Sequence, residues 1–76
     1  MLVNNFLSQC QDILRQIVVF KKNFASTAID FDKYIKEINN IIKDTEITGL
    51  LNETYIKRIS SLEYLLNSWY ETLSSL

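Results

Sequence analysis

Proline and histidine are absent from this 76-residue chain, and glycine and cysteine occur once each. Without proline, and with Gly49 as its sole glycine, the sequence has almost no strong helix breaker. The lone Cys10 excludes a disulfide within one chain, and the lack of histidine makes a structural zinc site improbable. The composition therefore favours long helices that are stabilised by packing and by association.

Excess positive charge is also missing. The formal net charge is −1, and the eight basic residues are interspersed with acidic ones, so the chain has no basic face for nucleic acid. The longest uninterrupted apolar run, Ile17 to Phe20, is far too short for a membrane span, and no basic residue opens the chain as in a signal peptide. We expect a soluble, cytoplasmic protein that forms a single domain.

A seven-residue register runs through the first half of the chain. One set of positions is spaced seven residues apart, and the second set follows three residues later, which places both sets on one face of a helix. The first set is Val3, Cys10, Ile17, Phe24, Phe31 and Ile38, and the second is Phe6, Ile13, Phe20, Thr27, Tyr34 and Ile41. No strand pattern fits this spacing, because strand side chains alternate every second residue.

A second apolar stripe follows the predicted turn at Asp44–Gly49. It consists of Tyr55, Ile59, Leu62, Leu66, Trp69, Leu73 and Leu76. Asn52 is a suitable N-cap for this helix, with Glu53 in the first turn, where an acidic side chain favours the helix dipole.

The sequence leaves two architectures open for the first arm. The heptad phase allows one continuous helix of about 60 Å, whereas the weak break at Ala25-Ser26-Thr27 allows two helices. Thr27 and Asp30 have the spacing of a capping box, with Asp in place of the usual Glu. We favour the break, which predicts helices at about 2–24, 28–44 and 52–75. The fold class is thus all-α, an antiparallel helical hairpin or a small three-helix bundle with coiled-coil-like packing.

Candidate catalytic groups are few. Cys10 lies on the apolar stripe without a histidine to act as its base, so we interpret it as a buried core residue. Asp30 with Asp32, and Asp44 with Glu46, fit surface and cap positions better than acid–base chemistry. We expect no enzymatic activity, no cofactor, no metal and no small-molecule substrate.

The last helix is too apolar for a single buried side. Either it is the central helix of a three-helix bundle, or it carries an aromatic docking face for another protein chain, because Trp and Tyr supply many interface anchors. The predicted partner-binding residues are Tyr55, Leu62, Tyr64, Leu66, Trp69, Tyr70 and Leu73. A second apolar flank on the first arm leaves the same alternatives, internal packing or contact with two helices. It comprises Leu7, Leu14, Val18, Ala28, Ile35 and Ile42.

The run Tyr55-Ile56-Lys57-Arg58-Ile59-Ser60-Ser61-Leu62-Glu63, together with the size and two-arm layout, resembles the small helical co-chaperones of bacterial type III secretion needle subunits. The resemblance covers nine residues. It implies a helical hairpin that works in a heterotrimer with an aggregation-prone client and a larger chaperone. It also implies that Tyr55 and Leu62 belong to the helix that packs on that larger chaperone.

Two functions therefore compete, beside a third class that covers a small regulator, an immunity protein at a membrane surface or an enzyme accessory subunit. In the first, the chain is a noncatalytic adaptor or co-chaperone that stabilises a partner protein within a larger complex. In the second, it is a structural homo-oligomer with no separate client. In either case its 47% hydrophobic content predicts association with another chain, since so short a chain buries little of its apolar surface alone.

Overall fold

A computed structural model describes residues 1–73 of the chain as three α-helices. Helix α1 spans Val3–Asn23, α2 spans Phe31–Thr48 and α3 spans Glu53–Leu73. Helices account for 82% of the described residues, and no strand occurs among them. The prediction of an all-α three-helix fold is confirmed. Position Leu76 and the predicted end of the last helix at residue 75 lie outside the described residues.

The break in the first arm is confirmed, because in the folded single chain residues 24–30 do not continue α1 into α2. The chain reverses there, so α1 and α2 are antiparallel and Lys21 Nζ lies 2.6 Å from Asp32 Oδ1. Helix α3 runs in the direction of α1, since Gln9 contacts Glu63 and Gln16 contacts Tyr70. The result is an up-down-up bundle with principal extents of 40 × 19 × 17 Å.

The predicted start of α2 was wrong by three residues. Asp30 is itself the N-cap and accepts a hydrogen bond from the Lys33 backbone amide at 3.2 Å. The Thr27 hydroxyl instead donates back to the Phe24 carbonyl at 2.8 Å. The later start lengthens the connection, so that the chain can reverse and still place Phe31 in the core.

The end of α2 also differs from the prediction. The helix continues through residues 44–48, and Thr45 is buried within it. Gly49 then ends the helix with φ +65°, and its amide donates to the Thr45 carbonyl at 2.8 Å. Glycine takes this left-handed conformation without steric cost, so the turn begins at Gly49. Asn52 caps α3 as expected, since its Oδ1 accepts from the Thr54 amide at 2.9 Å.

The core largely follows the two predicted stripes, with Ile42 added from the second flank, whereas Val3, Phe24, Thr27 and Tyr34 of the first stripe are only half-buried. The core is formed by Phe6, Cys10, Ile13, Ile17, Phe20, Phe31, Ile38, Ile41, Ile42, Ile59, Leu62, Leu66 and Trp69. The residues of the second flank lie in three environments. Ile42 is buried, Leu7, Leu14 and Ile35 are half-buried against the core, and Val18 and Ala28 are exposed. The backbones of α1 and α2 approach each other more closely than either approaches α3.

Candidate protein-binding surface

The seven predicted partner-binding residues lie in three different environments. Leu62, Leu66 and Trp69 are buried in the bundle, and Tyr55 and Leu73 are half-buried. Tyr64 and Tyr70 are exposed, at 79% and 40% of their surface. The folded single chain therefore offers Tyr64 and Tyr70 to a partner, and partner binding by the set as a whole stays a prediction.

Trp69 lies where all three helices meet. Its ring packs edge-on against Phe20 of α1 and against Phe31 and Tyr34 of α2, with centroid distances of 6.0, 5.4 and 5.5 Å. Such tilted arrangements place the positive ring edge against a negative ring face, which stabilises aromatic pairs beyond area burial. This geometry matches the alternative in which the last helix is packed on both neighbours.

Tyr70, one residue further along, lies at the groove between α1 and α3. Its ring packs against Phe20 at a centroid distance of 4.5 Å, and its hydroxyl donates to Gln16 Oε1 at 3.1 Å. Two contacts on α1 thus hold the side chain in one orientation, although much of the ring is accessible. The exposed ring is preorganised for contact with another molecule.

A small apolar cavity opens beside Tyr70. Its volume is about 80 Å³, and it is lined by Val19, Phe20, Asn23, Phe24 and Tyr70. Val19 is 50% exposed and Phe24 is half-buried. We call Val19, Asn23, Phe24 and Tyr70 the Val19–Tyr70 surface. It combines aromatic and aliphatic atoms with one uncharged polar side chain.

Sequence reasoning identified Tyr70 in this surface but missed Val19, Asn23 and Phe24 as possible contacts. Phe24 was placed on the core stripe, and Val19 lies off every stripe. The signal that could have found Val19 is the run Ile17–Phe20, in which four consecutive apolar residues circle the helix and must leave one side uncovered.

Tyr64 projects from the outer side of α3. It borders a cavity of about 110 Å³ together with Asn67, Ser68 and Glu71. The uncharged Asn67 and Ser68 would cost less to desolvate against a partner than charged side chains would. The other residues that line this cavity are polar, whereas aromatic and aliphatic side chains line the cavity beside Tyr70, so Tyr64 is the weaker of the two exposed candidates.

Tyr55 serves a contact within the bundle. Its hydroxyl donates to Asp44 Oδ2 at 2.6 Å, which raises the pKa of Tyr55 because the neutral phenol is the hydrogen-bond donor. Nearby, the Arg58 guanidinium forms a two-pronged pair with Glu37, with Nη2 2.9 Å from Oε1. This hydrogen-bonded pair lowers the pKa of Glu37 and raises that of Arg58. Polar side chains therefore bridge α2 and α3.

Reactive groups are enclosed or paired. Cys10 is fully buried, and burial raises the pKa of its thiol to about 11, so little thiolate forms near neutral pH. Asp30 caps α2, Asp32 pairs with Lys21, and Asp44 accepts from Tyr55. Across residues 1–73 no cluster of three or more His, Cys, Asp or Glu side chains could hold a metal ion.

None of the three described helices combines the length and apolarity that a bilayer crossing requires. Comparison of the chain with protein-family models, with curated proteins and with solved structures found no match.

Proposed function

We propose that this protein is a noncatalytic helical adaptor that binds another protein chain through the Val19–Tyr70 surface. The observation that carries the proposal is the position of Tyr70. Its ring is 40% exposed, is fixed by Phe20 and Gln16, and borders an apolar cavity.

The chemistry of this surface suits a protein partner. Tyrosine is enriched among the residues that dominate interface energies, and an aromatic anchor next to an open cavity can receive an apolar side chain in return. Asn23 and Gln16 border the site without charge, so a partner would displace only moderately bound water there. Desolvation would therefore offset little of the apolar contact energy.

Two adjacent valines supply a matched test. Val18 and Val19 are 45% and 50% exposed, yet they follow one another on a helix and so project about 100° apart. Val19 lines the cavity beside Tyr70, and Val18 does not. We expect Val19→Lys to remove a specific partner that co-purifies with the native protein, and Val18→Lys to retain it.

Circular dichroism of both variants should match the native helical signal, because neither side chain is in the core. Equal retention of the partner by both variants would reject the Val19–Tyr70 surface. Equal loss would indicate that the α1 surface tolerates no charge and would also reject the assignment. A complex that contains only this chain, and that persists on dilution, would favour the alternative of a homo-oligomer without a client.

The resemblance of residues 55–63 supports a narrower version of the proposal, a cytoplasmic co-chaperone within a bacterial type III secretion system. In that version the chain would work beside a larger chaperone and hold a needle subunit in a soluble state. Co-expression with both proteins should yield one complex of three chains. If this chain elutes alone while the Val19→Lys and Val18→Lys variants still differ toward another partner, only the narrower version fails.

A further inference from the structure

The heptad register does not stop where α1 ends. Phe20, Phe24, Thr27, Phe31 and Tyr34 follow one another in steps of four, three, four and three residues. Phe20, Phe24 and Thr27 precede the start of α2, so the register continues through the connection between the two helices. A connection that only reverses the chain has no need to keep this phase. The apolar stripe would thus stay on one face if α1 and α2 formed a single helix.

The residues of this connection are also compatible with a helix. Residues 24–30 contain no glycine or proline, and Gly49 is the only described residue with positive φ. Ala25, Ser26 and Ala28 are exposed and make no core contact that a helix would break. Phe24 and Ile29 are half-buried against the core and would have to repack in a continuous helix. The remaining contacts of the connection are local hydrogen bonds, from the Thr27 amide and hydroxyl to the Phe24 carbonyl and from the Lys33 amide to Asp30. Intrahelical hydrogen bonds could replace them.

The second connection is different. Gly49 has φ +65°, and its amide closes the last turn of α2 on the Thr45 carbonyl. A helix that continued through this point would have to abandon a conformation that glycine specifically favours. Of the two connections, the one between α1 and α2 is therefore better suited to open.

We propose that α1 and α2 can join into one helix, and that two copies of the chain then exchange their α1 helices. In the exchanged dimer, α1 of each copy packs on α2 and α3 of the other. Every core residue keeps its type of neighbour, which is the reason that exchange of identical elements is a low-cost route to dimers. A helix from Val3 to Thr48 would be about 70 Å long.

The occupant must be a second copy because the core surfaces are complementary to each other. The stripe of α1 that opening would expose includes Phe6, Ile13 and Phe20, and these side chains fit a site formed by α2 and α3 of this same sequence. Phe20, for example, packs edge-on against Trp69 and Tyr70. Only another copy presents that site.

The exchange goes beyond the proposed adaptor function. Phe24 belongs both to the 24–30 connection and to the Val19–Tyr70 surface. The two proposals are tested at different residues, however, the exchange at Ala25–Asp30 and the adaptor function at Val19, so that the failure of one is distinguishable from the failure of the other.

The test compares two variants that change only exposed residues of the connection. Ser26→Ala/Asp30→Ala favours a continuous helix, because it adds two strong helix formers and removes the N-cap of α2. Ala25→Gly/Ala28→Gly disfavours that helix, with each glycine reducing the helical population about fivefold. Sedimentation equilibrium over a range of concentrations distinguishes the 8.9 kDa monomer from the dimer.

We expect the alanine variant to raise the dimerisation constant on the order of a hundredfold over the native chain, since the cap and the propensity act in both copies. The glycine variant should stay monomeric at every concentration. Gly49→Ala, which alters the other connection, should dimerise no more than the native chain. Strong dimerisation of Gly49→Ala alone would identify the wrong connection and overturn the proposal.

Cross-linking separates exchange from simple association. In a Cys10→Ala background, Gln9→Cys/Glu63→Cys places thiols on α1 and α3, whose native side chains lie 3.4 Å apart between Nε2 and Oε2. A short bismaleimide should join two chains in the alanine variant and link residues within one chain in the glycine variant. A dimer with only intrachain links, or an alanine variant that stays monomeric, would overturn the proposal. Loss of the helical circular dichroism signal in the alanine variant would also overturn the proposal, because the exchanged dimer should retain the core contacts.

Discussion

The two ends of the bundle are built from different side chains. At the end where α1 passes into α2, six rings lie close together, and we call this group the aromatic end. It consists of Phe20, Phe24, Phe31, Tyr34, Trp69 and Tyr70. At the opposite end, where α2 turns into α3, Thr45 is buried, its hydroxyl has no partner among the described residues, and Ile47 and Leu50 are exposed. Ring contacts thus stabilise the aromatic end, whereas the opposite end contains a buried polar atom without a partner and two exposed apolar side chains.

The largest expected effect is at the aromatic end. Trp69→Ala should lower the free energy of unfolding by about 3–5 kcal/mol, because the cavity would lie among rings of all three helices. Denaturant unfolding of the isolated chain measures this change, with the exposed Tyr64→Ala as control. If Trp69→Ala instead left stability within about 1 kcal/mol of the native chain and weakened only partner binding, Trp69 would be the centre of a docking face.

At the opposite end the expected change has the other sign. Thr45→Val should raise the free energy of unfolding by about 1 kcal/mol, since it removes a buried hydroxyl that has no hydrogen-bond partner among the described residues. Thermal and denaturant unfolding both report the gain. Thr48→Val is the control. The Thr48 hydroxyl accepts a hydrogen bond from the Leu50 amide at 3.3 Å, so its removal should lower the free energy of unfolding. A loss of stability in Thr45→Val would mean that the hydroxyl is satisfied.

Between the two ends, the Glu37–Arg58 pair should make a pH-dependent contribution to the free energy of unfolding. Folding lowers the pKa of the Glu37 carboxyl from its ordinary value of 4.5. The ionised carboxylate therefore stabilises the folded protein at pH values above 4.5, and this contribution is lost as the pH falls through the lower pKa of the folded state. Both side chains are partly exposed, so Glu37→Gln should cost less than about 1 kcal/mol at pH 7. The difference from the native chain should vanish on acidification. A difference that is unchanged at acid pH would show that packing, and not charge, is responsible.

The smallest effect is expected at the exposed apolar residues of the opposite end. Ile47 is 73% exposed, so Ile47→Gln should change the free energy of unfolding of the monomer by no more than about 0.5 kcal/mol. Unfolding at low protein concentration is the appropriate measurement. A cost of 2 kcal/mol would indicate that Ile47 is covered in the state being measured.

Much of the fold could be predicted from the sequence because core packing obeys one periodicity. The heptad positions Phe6, Ile13, Phe20 and Ile38 are all buried, as is Cys10. Helix ends were harder, since they depend on single hydrogen bonds. Asp30 competes with Thr27 as the cap of α2, and only the need to return Phe31 to the core decides between them.

The candidate surface was less accessible to sequence reasoning than the fold. Apolarity identifies the residues that avoid water, and it does not tell whether the same chain or another one covers them. Trp69 and Tyr70 are neighbours of similar character, yet one is buried and the other is 40% exposed. The difference arises from the relative rotation of three helices, which no single periodicity encodes. Val19 was missed for the same reason.

The close approach of α1 and α2 has a consequence for the order of folding. Contacts between these helices, such as Lys21 with Asp32, span 11 residues, whereas those between α1 and α3, such as Gln9 with Glu63, span 54. Closing a short loop costs less chain entropy than closing a long one, so the α1–α3 contacts should form last. The α2–α3 contact of Tyr55 with Asp44 also spans 11 residues, so loop length does not distinguish the two hairpins. The closer approach of α1 and α2 is what favours their hairpin in the transition state, with α3 docking afterwards. Substitutions in the hairpin core, such as Ile38→Val, would then slow folding. Those in α3, such as Leu66→Ala, would mainly accelerate unfolding.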